Sequence, residues 1–125
     1  MTENEISKII VDCAFKIHTK LGPGLLESVY EKILIYELEK RKLNLASQVG
    51  IPLVYDEQNF EIGFRADVIV ENKVIIELKS VKEILPVHKK QLLTYLKISN
   101  IKLGLLINFN SVLFKDGITR IANNL

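Results

Sequence analysis

The first part of the chain carries apolar side chains at helical spacing. One set recurs every three or four positions, the period of a helix face: Ile6, Ile9, Ile10, Cys13, Ile17 and Leu21. Gly22-Pro23-Gly24 is expected to end this helix, and a second helix is expected over residues 25–42, with Pro23 at or just before its first turn. Its apolar residues cover more than one stripe, so we expect most of it to be buried: Leu26, Val29, Tyr30, Ile33, Leu34, Tyr36 and Leu38.

From about Leu45 the period changes to the alternation that is typical of strands. Asp56-Glu57-Gln58-Asn59 predicts a polar turn, Glu71-Asn72-Lys73 a tight hairpin and Asp116-Gly117 the turn of a terminal hairpin. A third helix is expected over residues 86–99. Strands are expected at residues 48–55, 60–70, 74–79, 102–108, 112–115 and 118–121. The order ααβββαβββ predicts an α+β fold, with a central mixed sheet flanked by helices.

Length and composition narrow the class of protein. A chain of 125 residues with 48% apolar and 26% charged side chains is expected to form a single globular domain over residues 1–125. The single cysteine excludes a disulfide framework and favours a cytoplasmic location. No apolar run approaches the ~20 residues that span a bilayer, and the N-terminus lacks the order of a signal peptide. A net charge of +2 is too small to indicate a nucleic-acid partner by itself.

Three ionisable residues interrupt the apolar strands on either side of the central hairpin: Asp67, Glu77 and Lys79. If residues 71–73 form the loop, Asp67 faces Glu77 across the ladder and Lys79 lies two residues further on the same face. The other face would carry Ala66, Val68, Val74, Ile76 and Leu78. Burying charges is unfavourable unless they are paired or bind a metal.

Two close carboxylates and an amine indicate metal-assisted hydrolysis. Mg²⁺ favours carboxylate oxygens and pairs with substrate phosphate. A metal lowers the pKa of bound water, and an ammonium group beside that water can orient it or stabilise charge on a phosphate. The spacing leaves a second interpretation open, in which an ion pair between Lys79 and a carboxylate only stabilises the sheet.

Four short motifs in this order resemble the PD-(D/E)XK nuclease superfamily, whose restriction-endonuclease-like core is αβββαβ. Asp67 matches the aspartate and Glu77-Leu78-Lys79 the (D/E)XK element, while Ala66 stands in the place of the proline. The stretch GLLESVY, from Gly24 to Tyr30, resembles the GxxExxY signature of a small-protein branch. QLLTY, from Gln91 to Tyr95, resembles the QxxxY motif of RecB-like and Cas4-like nucleases.

The resemblance implies a role for each motif residue. Asp67, Glu77 and the Leu78 carbonyl would bind Mg²⁺ or Mn²⁺, with Glu27 as a further ligand or a partner of metal-bound water. Lys79 would be the catalytic lysine. Gln91 and Tyr95 would support the site or touch the phosphate backbone, and Tyr30 belongs to the supporting set.

Structural explanations compete for several of these residues. A glutamate in a first helical turn, such as Glu27, is favoured by the helix dipole. Gln91 and Tyr95 share a helix face, so they fit equally a solvated amide and a half-buried ring. Basic residues around the third helix could follow a phosphate backbone or simply be solvated: Arg65, Lys82, Lys89, Lys90, Lys97 and Lys102.

The sequence therefore predicts a metal-dependent nuclease that hydrolyses nucleic-acid phosphodiesters, with DNA preferred over RNA as the expected substrate. A homodimer or a partner protein is expected because a chain this short offers little surface to a duplex. No membrane partner is expected. The alternative is a catalytically silent module of the same fold that binds nucleic acid or serves in assembly.

Overall fold

The computed structural model describes the backbone of residues 1–125 and every side chain except those of residues 61–63. Two helices come first, α1 (Glu3–Leu21) and α2 (Glu27–Lys40). Three strands and a helix follow: β1 (Leu45–Tyr55), β2 (Gln58–Val70), β3 (Val74–Lys79) and α3 (Pro86–Ser99). The chain continues with β4 (Leu103–Asn108), the 3₁₀ helix η1 (Phe114–Gly117) and β5 (Ile118–Ala122).

The strands form one sheet in the order β1-β2-β3-β4-β5. β3 and β4 are parallel, with α3 in the connection between them, while the other neighbours are antiparallel. A parallel pair cannot be closed by a tight turn and needs a crossover segment, which here is the helix. The predicted α+β class, with a mixed sheet flanked by helices, is confirmed.

Apolar cores lie on both faces of the sheet. On one face, Ile10 of α1 and Leu34 of α2 pack with Ile76 of β3. On the other face, Leu92 of α3 packs with Ile75, which is the neighbour of Ile76 in β3. Because consecutive strand residues point to opposite faces, burial on both sides explains the nearly continuous Val and Ile content of this strand.

The predicted end of the first helix before Gly22-Pro23-Gly24 is confirmed, whereas the second helix is two residues shorter at each end than the predicted 25–42. α1 begins with a capping box, in which the Thr2 N–H donates to the Glu5 carboxylate at 2.9 Å and the Glu5 N–H to Thr2 Oγ1 at 3.2 Å. α2 begins at Glu27, so Pro23 lies outside its first turn.

Only one stripe of α2 is buried, at Tyr30, Leu34 and Leu38. Leu26, just before the helix, and Tyr36 within it are 72% and 60% exposed. The expectation that most of α2 is buried was wrong, because a helix lying on one side of a sheet buries only the face that contacts it.

The strand predicted at residues 112–115 was also wrong, because Phe114–Gly117 forms a 3₁₀ helix. Phe114 packs against the core next to α1, with its ring centroid 5.6 Å from that of Phe15. Its apolar side chain is therefore partly buried without strand pairing, and β4 is already paired on both edges by β3 and β5. The predicted strand at 118–121 is present as β5.

Among the residues described, no helix combines the length and the apolar character that crossing a membrane requires.

Candidate active site

The hairpin register predicted from the sequence is confirmed. Val70 pairs with Val74, and Val68 pairs with Ile76. One residue beyond this pairing, Asp67 Oδ2 accepts a hydrogen bond of 2.8 Å from the Leu78 N–H. The aspartate side chain thus supplies an acceptor to the backbone of β3, next to Glu77, and the register brings the two carboxylates together.

The side chains of β2 change phase at Asp67. Val68 packs in the core beside α1 and α2, whereas Ala66 packs in the core beside α3. The expectation that Ala66 shares a face with Val68 was wrong, since the usual alternation would place residues two apart on one side. The corresponding position on the neighbouring strand β1 is that of Gln48, whose backbone φ is 50°. Because of this change, Asp67 is directed towards the gap between β2 and β3, where it reaches the Leu78 N–H.

Glu77 is buried beside Asp67 and only 8% exposed. Its Oε1 has no hydrogen-bond partner among the described residues. Burial, reinforced by the charge of Asp67, raises the pKa of Glu77 to about 9. Two adjacent carboxylates repel one another when both are ionised, so burial beside Asp67 favours the protonated form of Glu77, and a cation between them would relieve the repulsion.

Lys79 is half-buried and lines a small cavity together with Glu77. Its backbone is held in the parallel pairing with Asn108, and its carbonyl accepts from the Phe109 N–H at 3.0 Å. The Asn108 side chain ties the segment after β3 to the end of β4, since its amide donates to the Val81 backbone carbonyl at 3.0 Å. The lysine therefore projects from a fixed stretch of backbone.

Gln91 and Tyr95 of α3 lie on one helix face and line the same cavity. The Tyr95 ring stacks on Phe64 with centroids 3.8 Å apart. Burial raises the pKa of the Tyr95 hydroxyl, and the carboxylates of Glu77 and Asp67 add to the increase. The charge of the acidic pair therefore affects the Tyr95 hydroxyl. The roles of Gln91 and Tyr95 in the site stay predictions.

The structure brings Glu31 closer to the acidic pair than the glutamate that the motif indicates. Glu27 is exposed, and no contact described for this part of the chain joins it to Asp67 or Glu77. Glu31, one helical turn later, accepts from Gln48 Nε2 at 2.9 Å. Burial raises the pKa of Glu31, and the negative charge of Asp67 raises it further. Sequence reasoning missed Glu31, although its spacing of four from Glu27 places both on one helix face.

Tyr30 is fully buried, and its supporting role in the site stays a prediction. Its hydroxyl donates to the Gly22 carbonyl at 2.5 Å and accepts from the Leu25 N–H at 3.2 Å. Its ring stacks on Phe109, with centroids 4.4 Å apart. These contacts hold the loop that leads into α2.

His88 is a second residue that sequence reasoning did not connect with the site. It lines the cavity with Glu77 and Lys79, and its Nδ1 accepts from the Leu85 N–H at 3.0 Å. The neutral ring therefore carries its proton on Nε2. In the sequence, the signal for His88 was its position one helical turn before Gln91. A lone histidine has no metal-ligand spacing to a second ligand residue, so that criterion does not find it.

The basic residues around α3 do not form a surface of uniform charge. Lys82 and Lys89 line a shallow cleft with Asn108, but Glu83 and Asp116 line it too. Arg65 donates to the Gln48 carbonyl at 3.0 Å. A backbone-binding surface stays a prediction.

The acidic pair fits a divalent cation only with help from other oxygens. Among the side chains described, no group of three or more His, Cys, Asp or Glu residues could hold a metal ion. Asp67 and Glu77 would therefore need backbone or water oxygens, which is common for Mg²⁺ because this ion keeps several waters. A cation between the two carboxylates would give Glu77 Oε1 a partner and would lower the raised pKa of Glu77.

Comparisons with known proteins bear on the family and the fold. The sequence profile of the PD-(D/E)XK nuclease superfamily matches residues 4–121. No curated protein matches the chain. A solved structure titled "Crystal structure of SSO0001" superposes with a TM-score of 0.50 at 20% identity, covering 93% of this chain and 67% of that one. At this identity the likeness concerns the fold alone.

Proposed function

This chain belongs to the PD-(D/E)XK nuclease superfamily, and we propose that it is a metal-dependent nuclease that hydrolyses phosphodiester bonds, with DNA as the preferred substrate. The observation that carries the proposal is the buried Glu77 carboxyl beside Asp67, with one oxygen unpartnered among the described residues. A purely structural acid would be expected to have its buried oxygens satisfied.

The metal site would consist of Asp67, Glu77 and the Leu78 carbonyl, with Mg²⁺ or Mn²⁺ as the cation. Glu27 is proposed as a further ligand or a partner of metal-bound water. The Leu78 N–H donates to Asp67 Oδ2, while Oδ1, which lies 3.4 Å from Gln48 Nε2, would face a cation. A bound divalent cation supplies positive charge that lowers the pKa of water and neutralises phosphate oxygens.

Lys79 would orient the attacking water, help to deprotonate it and stabilise charge on the phosphate. Its position two residues after Glu77 on β3 places both on the wall of one cavity. Gln91 and Tyr95, on the opposite wall, would hold the substrate backbone or support the carboxylates. The GxxExxY branch of the superfamily is the subgroup that these motifs favour.

A cleavage panel tests the proposal. Purified chain is incubated with single- and double-stranded DNA and RNA in Mg²⁺, Mn²⁺ or EDTA. We expect metal-dependent cleavage that Glu77→Ala and Lys79→Ala abolish, whereas the exposed Glu39→Ala and Lys8→Ala retain it as matched controls. Activity that survives both Glu77→Ala and Lys79→Ala would contradict the proposed roles.

The catalytically silent module is the competing function, and the lack of a three-ligand cluster among the described side chains is the observation in its favour. Calorimetric titration with Mn²⁺ separates the two. Binding that Asp67→Ala removes supports the nuclease, while nucleic-acid binding without any Mn²⁺ binding supports the module. The single domain over residues 1–125, the homodimer or partner protein and the cytoplasmic location stay predictions.

A further inference from the structure

Gln48 has a backbone conformation that its place in the fold does not explain. It lies inside β1, yet its φ of 50° is in the left-handed region, which residues with a Cβ disfavour. The other described residues of this kind lie in turns, after helices or near the C-terminus: Lys42, Asp56, Glu57, Glu71, Asn72, Asn100 and Asn124. A strained residue inside a strand persists only where its surroundings determine it.

The Gln48 side chain lies between two acidic groups of the candidate site. Its Nε2 donates to Glu31 Oε1 at 2.9 Å and lies 3.4 Å from Asp67 Oδ1. Its backbone carbonyl accepts from Arg65 Nη1 at 3.0 Å. One amide group thus connects helix α2 with strand β2 at the point where β2 changes phase.

We propose that Gln48 is a positioning residue of the active site, whose amide orients the carboxylates of Glu31 and Asp67 for cation binding. The inference rests on the proposed nuclease function and adds two residues to its machinery. In a regular strand conformation, residue 48 would point to one face of the sheet. The left-handed conformation brings the amide to the strand boundary, where Asp67 Oδ1 lies.

The chemistry of the amide suits this role. Its NH₂ group has two protons, so it can donate to both carboxylates at once. It is neutral, so it leaves the negative charge of the acids available to a cation, whereas a lysine or arginine here would compete with the cation. A glutamate of the same shape would have no donor and would repel both acids.

Replacement of Gln48 by glycine distinguishes a purely structural role from a positioning role. A structural role predicts unchanged cation binding in the glycine variant, whereas a positioning role predicts weaker cation binding. Glycine adopts positive φ without steric cost, so Gln48→Gly relieves the strain and removes only the amide. Asn72→Gly is the matched control, because Asn72 has a φ of 54° in the exposed turn between β2 and β3. Both variants should fold with a Tm at or above that of the native chain.

Mn²⁺ titration calorimetry on these folded variants tests the proposal. We expect Gln48→Gly to weaken Mn²⁺ affinity about 10- to 100-fold, Gln48→Glu to weaken it further, and Asn72→Gly to leave it unchanged. Glu31→Gln should weaken affinity alone but add little in the Gln48→Gly background, because the two residues act as one unit. Native affinity in Gln48→Gly would overturn the inference while leaving the proposed function intact.

A metal-free measurement keeps this test separate from the proposed function. Crystal structures of the native chain and Gln48→Gly, both grown in EDTA, compare the carboxylates directly. We expect Asp67 Oδ1 and the Glu31 carboxylate to lose their native orientation while the bond from the Leu78 N–H to Asp67 Oδ2 remains. Unchanged positions of both carboxylates would overturn the inference, whether or not the native chain binds Mn²⁺. A native chain that binds no Mn²⁺ would by itself contradict only the proposed function.

Discussion

Glu77→Gln should change how stability depends on pH. The pKa of Glu77 is about 9 in the folded chain, against 4.5 for an unperturbed glutamate. Between these values the folded chain retains a proton that the unfolded chain releases. The stabilising contribution is therefore fully present below about pH 4.5 and is lost as the pH rises towards about 9.

The magnitude follows from proton linkage. One proton held only by the folded state lowers the free energy of unfolding by about 1.4 kcal/mol for each unit of rising pH. Between pH 5.5 and 7.5 the native chain should lose about 3 kcal/mol through Glu77. Glutamine has a similar shape and no titrating proton, so the variant should lack this loss.

Urea unfolding followed by circular dichroism, in EDTA at several pH values, measures both slopes. The difference between native chain and Glu77→Gln isolates this group, because Glu31, whose pKa is raised by burial and by Asp67, adds a slope of the same sign to both proteins. Glu39→Gln, at an exposed position, is the matched control and should keep the native slope. Equal slopes in the native chain and Glu77→Gln would refute the reasoning about the buried pair.

Three further predictions concern the cation, the lysine and the packing of α3. Mn²⁺ binding at pH 7 should release about one proton from Glu77. Calorimetry in buffers of different ionisation enthalpy measures this release, and binding without proton release would contradict a protonated Glu77. Lys79→Ala should lower the cleavage rate about 10²- to 10⁴-fold while Mn²⁺ binding persists, and the exposed Lys8→Ala should cleave at the native rate. A native cleavage rate in Lys79→Ala would exclude the catalytic lysine. Gly104→Ala should lower the free energy of unfolding by about 1–3 kcal/mol, because a Cβ there would lie 2.9 Å from Leu92 Cγ. Urea unfolding measures the change, and an unchanged urea midpoint would show that α3 can shift away from β4.

Local patterns in the sequence determined the elements and the centre of the site. Helical spacing predicted α1, and the polar residues 71–73 predicted the hairpin whose pairing of Val70 with Val74 is observed. That register follows from a short turn and an apolar ladder, and both are properties of neighbouring residues. It was enough to place Asp67 beside Glu77.

Contacts between distant segments decided what the local patterns could not. The sequence near Asp67 gives no sign that β2 changes phase there, and the left-handed conformation of Gln48 in β1 accompanies the change. Glu31 joins the acidic group only because α2 packs over this part of the sheet. The same reason explains why Tyr30, a motif residue, lies in the core.

The two kinds of information have different physical origins. Periodicity and turn chemistry act over a few residues, so the sequence alone determined that two strands meet with two acids and a lysine between them. Hydrogen-bond donors on other elements decide which oxygen of each acid has a partner. The Gln48 amide of β1 is one such donor. Only the tertiary structure brings these donors to the acids, because the packing of helices on a sheet is set by the whole core.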